Sequence, residues 1–379
     1  MLMVSRRAAI RGGAAAAVVI APFVNRNSFS FAAAPDRAYS KRAIELMQRS
    51  LVIDMLAPLK IEVKPEFYAA PLGAQDAAEF RASGITGFHH AFGLGGPSAR
   101  EQALSYFAVW GNFVARNSHV FVGVDKVADI VAAKRAGKCA VIMGLQGADH
   151  FLNPQDVKEF YGIGQRCSQL TYNSQNRIGS GSTDRVDGGV SDYGVAIIAA
   201  MNEVGMLIDV SHCGDRTTLD AIAISPKPIA ITHSNCRALV NHPRVKTDEA
   251  IKALAAKGGV MGVTGVRQFV SASEPTTLGS LVDHIDHVAK LVGIEHVGIG
   301  SDADLNGYDD VSPEMNTALR AGYKESYAFR EKIDIEGFDH PRKMFDLTEE
   351  LIRRKYSDAN IAAILGGNFR RLLTSTWGG

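Results

Sequence analysis

Residues 205–233 read GMLIDVSHCGDRTTLDAIAISPKPIAITH. The stretch opens on an apolar strand, Met206–Val210, passes through a loop and a helical segment, and returns to a second apolar strand, Ile229–Thr232. Each strand runs into a histidine, His212 after the first and His233 after the second. Short β-branched strands that are apolar almost without a break fit a parallel sheet buried on both faces. The same unit recurs outward in both directions. The further strand candidates are Leu51–Asp54, Ile85–Phe88, Ala140–Leu145, Gln169–Thr171, Val260–Thr264 and Val297–Gly300.

Amphipathic helices fill the gaps. One is expected over Thr247–Lys257, with Thr247 placed to cap it and Asp248 and Glu249 at its positive end. Another spans Leu278–Leu291, where Leu281, Ile285, Val288 and Val292 fall at core-facing spacing. Ser357 is placed to cap a last helix through Ile361 and Ile364. Strand–helix alternation means parallel pairing with right-handed crossovers, and eight such units point to an α/β fold of the (β/α)₈ TIM-barrel type. No G-x-G-x-x-G opens a helix after the first strand, which argues against a dinucleotide-binding sheet. Val120–Val124 is a ninth apolar run, an extra strand or an extended loop before the third barrel strand. Leu305 to Met344 is long, polar and aromatic, and reads as an insertion that caps one end of the barrel after strand eight.

Composition agrees with one well-cored unit. The 379 residues carry 46% hydrophobic and 21% charged side chains, and 41 basic against 40 acidic residues. This excludes intrinsic disorder, a collagen-like repeat and a polybasic nucleic-acid binder. Four cysteines are too few for a disulfide scaffold. Residues 1–34 read as an export signal: Ser5-Arg6-Arg7 and Arg11, then an apolar run from Ala14 to Val24, then Ala32, Ala33 and Ala34 as a cleavage point. The apolar run is shorter than the ~20 residues a spanning helix needs, so no stable membrane insertion is expected after cleavage. The paired arginines are similar to a twin-arginine signal, and a periplasmic or otherwise exported protein is expected. Residues 35–379 form the barrel domain, slightly acidic at 37 basic against 40 acidic residues, with no call for a nucleic-acid partner.

In a (β/α)₈ barrel the chemistry gathers where the strands end at their carboxyl side. The third strand runs into Gln146, the fourth into Tyr172 and Asn173, the fifth into His212, the sixth into His233 and the eighth into Asp302. Two neutral imidazoles and a carboxylate around an open position suit a catalytic zinc ion.

The segments Gln169-Leu-Thr-Tyr-Asn, Gly205-Met-Leu-Ile-Asp-Val-Ser-His212, Ala230-Ile-Thr-His233-Ser, Gly300-Ser-Asp302-Ala-Asp304 and Leu365-Gly-Gly-Asn-Phe resemble the membrane (renal-type) dipeptidases, peptidase family M19. The resemblance covers nearly the whole chain after residue 35. It implies a two-zinc exopeptidase that cleaves dipeptides, and dimerisation is common among such proteins. By resemblance, His212 and His233 match the histidines of the second zinc, and Asp302 matches the acid that handles the proton of the attacking water. Arg244, in His242-Pro-Arg244, matches the arginine that grips the substrate carboxylate, a task suited to a planar fork of donors.

The departures are chemical. Where the family has Asp-Gly-His-x-Asp, this chain has Asp54-Met-Leu56-Ala-Pro58. The bridging glutamate is replaced by Gln146, and a substrate-contacting histidine by Tyr172. The expectation is therefore one zinc per chain, held by His212 and His233 with Gln146 or Asp302 and water. Asp302 accepts the water's proton, Tyr172 donates to the oxyanion, and Arg244, Tyr172, Asn173 and Asp304 line the substrate. The alternatives are a dipeptidase-like binding protein without turnover, or a hydrolase of another small amide or ester.

Other motifs carry less. His89 and His90, at the end of strand two, are expected to pack and hydrogen-bond in the barrel mouth, the alternative being a replacement metal ligand. Asp302-Ala-Asp304-Leu-Asn306-Gly307 imitates a calcium loop but has Pro313 at position twelve, so Asp304 is a loop or pocket acid. Gly179-Ser-Gly181-Ser lacks the lysine of a phosphate loop and is expected to be a flexible segment beside the substrate. Cys213 and Cys236 are expected to be buried free thiols.

Overall fold

A computed structural model describes residues 39–62, 64–309 and 311–377. The expected export signal, residues 1–34, lies outside them. The strands, in chain order, are β1 (Ile53–Asp54), β2 (Gly87–Phe92), β3 (Phe121–Gly123), β4 (Cys139–Leu145), β5 (Cys167–Gln169), β6 (Leu207–Asp209), β7 (Ala230–Ser234), β8 (Val260–Val263) and β9 (Val297–Ile299). Eight of them close a parallel ring in the order β1-β2-β4-β5-β6-β7-β8-β9, with β9 pairing back to β1 through Ile299 and Asp54.

The ninth run is the extra strand. β3 pairs with the first half of β4, Phe121 opposite Cys139 and Gly123 opposite Val141, while β5 takes the second half through Gly144 and Leu145. β3 is thus a branch on the wall and does not enter the ring. The fourth barrel strand lies two residues earlier than its sequence pattern suggests. It stops at Gln169 because the chain turns away at Asn173, which sits at φ 60 in the left-handed region.

The ring interior is apolar at the amino end of the strands. Ile53, Ala140, Ile142, Cys167, Leu207, Ala230 and Val260 meet there with Phe369, Leu372 and Leu373 of the C-terminal helix Asn368–Trp377. That helix closes the floor. Gly298 of β9 permits the approach, since a Cβ there would stand 2.3 Å from the Phe369 ring. The outer helices bury their apolar faces on the opposite side of the wall. The expected caps are present: Thr247 accepts from the Ala250 N–H and Ser357 from the Asn360 N–H. Helix Leu278–Val292 buries Leu281, Ile285 and Val288, as its spacing requires. Among the described residues no helix is long and apolar enough to cross a membrane.

The insertion after β9 covers the opposite, carboxyl end. Its residues Tyr327 and Ile333 pack with Val245, Val266 and Phe269, and Tyr308, Leu319, Tyr323 and Phe329 join them. The polar strand ends therefore lie between a greasy floor and an aromatic roof.

Candidate active site

His212 and His233 leave the ends of adjacent strands, β6 and β7, and turn toward each other. Their Nε2 atoms stand 2.9 Å apart, and both rings are fully buried. On its far side His212 Nδ1 lies 2.7 Å from Asn173 Oδ1. His233 Nδ1 lies 2.8 Å from Thr232 Oγ1. Burial, reinforced by the nearby Arg244 guanidinium, holds both imidazoles well below the ordinary histidine range, so both are neutral near pH 7.

The segment around Gly181 pins His212 in place. Ser182 N–H donates to the His212 carbonyl, Gly181 bridges to Cys213, and Thr183 N–H donates to the Asn173 carbonyl. A Cβ on Gly181 would stand 2.1 Å from the Asn173 carbonyl carbon, so only glycine admits this crossing. The expectation of a flexible loop is corrected: hydrogen bonds hold it at both ends.

Asp302, also at φ 58, follows β9 at the same mouth. Burial pushes its carboxyl up to about 7, with Arg244 pulling against it and Asp54 and Asp209 pushing the same way. Arg244 is fully buried and forms no ion pair among the described residues. One terminal nitrogen donates to the Ser211 carbonyl and the other to the His233 carbonyl at 3.0 Å, while Nε–H has no partner. A buried guanidinium without an acid is costly unless an anion completes it. Behind the pair, burial pushes Lys246 down to about 8, its ammonium bound to the Cys213 carbonyl and the Thr218 hydroxyl.

Four tyrosines roof the mouth. The Tyr172 ring stacks on His212 at 4.3 Å, and its hydroxyl meets that of Tyr323 at 2.5 Å. Tyr327 packs on Tyr323 at 4.4 Å, and the Tyr308 hydroxyl donates to the Asp302 carbonyl. Burial raises all four phenols well above the ordinary tyrosine range and keeps them protonated, Tyr323 at about 12.

The remaining expectations divide. Gln146 stands at the end of β4 with its Nε2 on the Ala91 carbonyl and its Oε1 buried without a partner. Asp304 is tied into its own loop. Its Oδ2 accepts from Ile61 N–H and pairs with Lys60, and its Oδ1 accepts from Asn306 N–H, so neither oxygen is free. His89 lies inside the barrel with Nδ1 on the Met55 carbonyl. His90 corrects the mouth placement. It points to the outer layer, accepts from Leu59 N–H and packs edge-on against Trp110. All four cysteines are buried free thiols.

Can these groups hold a metal? Zinc sits about 2.0–2.1 Å from imidazole nitrogen, so two Nε2 atoms 2.9 Å apart can share one ion. Among the described residues no group of three or more His, Cys, Asp or Glu is arranged to hold a metal, so Asp302 does not join the histidines as a third ligand. The neutral donors that a cation would meet at the strand ends are the two imidazoles and the unpartnered Gln146 Oε1. Asp209, Thr232, Tyr308, Tyr323 and Tyr327 carry parts of the site that sequence reasoning missed. Only Asp209 left a signal, as an acid within a strand otherwise buried on both faces.

A family model described as membrane dipeptidase (peptidase family M19) matches residues 40–321. The chain is 34% identical over 244 residues to dipeptidase verJ of Clonostachys rogersoniana, a match that covers 64% of this chain and 56% of that protein. The chain thus spans about half the length of the curated relative. An amidohydrolase from Pseudomonas aeruginosa superposes with a TM-score of 0.77 at 28% identity, over 89% of this chain and 99% of that one. A metallo peptidase from Rhodobacter sphaeroides, liganded with a phosphinate mimic of the dipeptide L-Ala-D-Ala, shares the fold at a TM-score of 0.68 and 18% identity, over 86% and 100% of the two chains.

Proposed function

Since this chain belongs to the membrane dipeptidase family, peptidase family M19, we propose that it hydrolyses a dipeptide or a similarly small amide with a free carboxylate, using one zinc ion held by His212 and His233. The observation that carries this reading is the facing Nε2 pair at the strand ends, 2.9 Å apart. Gln146 Oε1, buried without a partner at the end of β4, is a neutral donor that would complete the shell. Bound zinc supplies a Lewis acid and a water whose pKa falls to ~7.

The protein's own groups do the rest. Arg244, buried with a free Nε–H, receives the substrate carboxylate and gains the anion it lacks. Asp302, titrating at about 7, takes the proton of the attacking water and returns it to the leaving amine. The Tyr172 hydroxyl, protonated and beside His212, donates to the developing oxyanion once a substrate parts it from Tyr323. The roof of tyrosines excludes water from these charges, which strengthens them. The Rhodobacter sphaeroides neighbour, caught with a dipeptide mimic, supports a substrate of this size. The same proposal includes export from the cytoplasm, supported by the twin-arginine-like Arg6-Arg7 pair.

Elemental analysis of the purified chain together with a dipeptide panel tests this reading. Near one zinc per chain, with turnover abolished in His212→Ala, is the expected result. One other reading, a carboxylate-binding protein without turnover, starts from the buried Arg244 guanidinium, whose Nε–H has no partner among the described residues. Dipeptides that bind but are never cleaved, even with added zinc, would establish that reading and end the first.

A further inference from the structure

We propose that His242 is a positioning residue that couples the carboxylate seat at Arg244 to the roof segment Tyr323–Tyr327, so that seating a substrate carboxylate and closing the roof are one event. The coupling rests on the reading above for its ligand, and on geometry alone for the link.

His212, His233 and Arg244 are buried beneath the roof, so a substrate reaches them only when the roof moves. The two sides of the roof segment are held differently. On the His212 side the Tyr323 hydroxyl meets that of Tyr172, and Lys324 Nζ reaches the Thr183 carbonyl at 2.8 Å and Asp184 Oδ1 at 3.3 Å. Lys324 is half exposed, so water replaces this ion pair at little cost. On the Arg244 side the contact is buried. His242 Nε2 lies 2.9 Å from the Tyr327 carbonyl, and its ring packs on Phe269 at 4.8 Å and on Tyr327 at 5.8 Å. The Arg244 guanidinium lies over the same Phe269 ring at 5.6 Å. The roof is therefore latched at Lys324 and pivots at His242.

One proton sets the direction of both His242 bonds. Burial pushes the ring down to about 4, so it is neutral near pH 7 and carries a single N–H. The Arg244 peptide N–H donates to Nδ1 at 3.0 Å, so that nitrogen is bare. Nε2 carries the proton and donates to the Tyr327 carbonyl, which has none to give. Both partners demand the same tautomer. The ring thus joins the peptide that bears the guanidinium to a roof carbonyl 85 residues along the chain. A carboxylate that orders Arg244 orders this peptide, and through the ring it holds the roof shut.

Nitrogen-15 NMR and amide hydrogen exchange of the full chain test the coupling without turnover. The His242 ring is expected to be protonated at Nε2, and protonation at Nδ1 overturns the proposal. The Tyr327 and Ala328 amides, each 2.9 Å from a carbonyl of the roof segment, report its state. The probe is an alanyl-alanine analogue whose amide is reduced to a methylene-amine, which cannot be hydrolysed. With a free carboxylate it is expected to slow exchange at both amides about tenfold, the worth of one buried hydrogen bond. Its C-terminal carboxamide is expected to leave them unchanged. His242→Asn keeps an acceptor for the Arg244 peptide and loses the reach to Tyr327, while His242→Gln keeps the donor to Tyr327 and releases the Arg244 peptide. Each variant is expected to lose the slowing, whereas Lys324→Ala, which breaks only the latch, is expected to keep it. Undiminished slowing in folded His242→Asn overturns the coupling. If the unaltered chain takes up neither analogue, the substrate reading above fails and the free chain decides the link. Faster exchange of both amides in His242→Asn but not in His242→Gln then upholds it, and equal exchange overturns it.

Discussion

At the scale of the residue, Asp302 and Asp304 show how neighbours with the same side chain part company. Asp302 keeps a carboxyl titrating at about 7 in the mouth, while Asp304 spends both oxygens on Ile61, Lys60 and Asn306. A base works only when ionised, so the fraction of competent enzyme rises as pH climbs through about 7. The kcat/KM profile is accordingly expected to fall on the acid side with a limb near that value. Asp302→Asn should remove the limb and about 10²–10⁴-fold of the rate, with zinc content unchanged, because this acid is not a ligand. Loss of zinc in that variant would instead make Asp302 part of the metal shell. Sequence reasoning gave Asp302 the proton and Asp304 a place in the loop or pocket, but not which oxygens were already engaged. The difference comes from the left-handed turn at Asp302, which sends successive side chains to different neighbours.

At the scale of the element, the site is assembled by loops that look unremarkable in composition. The Gly179–Ser182 segment reads as slack chain, yet it crosses Asn173 at a contact only glycine allows and ties down the His212 carbonyl. Gly181→Ala is expected to displace Asn173 from His212 and to cost about 10²-fold in activity, since small errors of placement at a reacting centre are that expensive. Its melting temperature should fall as well, because the added Cβ meets backbone that has to move. A large fall in stability with normal activity would show that the crossing serves the fold and not the site. The strand ends that carry His212, His233 and Gln146 were legible because each is a polar residue closing an apolar run. The register error at β5 has a physical source as well: Leu170 and Thr171 have strand-like side chains, and only the turn at Asn173 ends the pairing.

At the scale of the whole molecule, the two ends of the barrel divide the labour. The C-terminal helix plugs the floor with Phe369, Leu372 and Leu373, and the insertion roofs the mouth with Tyr308, Tyr323 and Tyr327. Phe369→Ala is expected to cost ~3–5 kcal/mol in chemical denaturation with KM unchanged. Tyr323→Ala should raise KM several-fold at nearly constant stability, since it opens the roof where the Tyr172 hydroxyl is held. The reverse pattern in the two variants would refute this division. What the sequence determined alone is the eight-unit parallel barrel, its helix caps and the polar closure of its strands. Those follow from local periodicity and from burial on both faces of a strand, which every short window repeats. What only the tertiary structure decided is which of those closures meet: the pairing of His212 with His233, the solitary guanidinium of Arg244, and the reach of Asp209 across two strands. Such encounters depend on the ring closing and on turns at single residues, and no stretch of chain contains that information by itself.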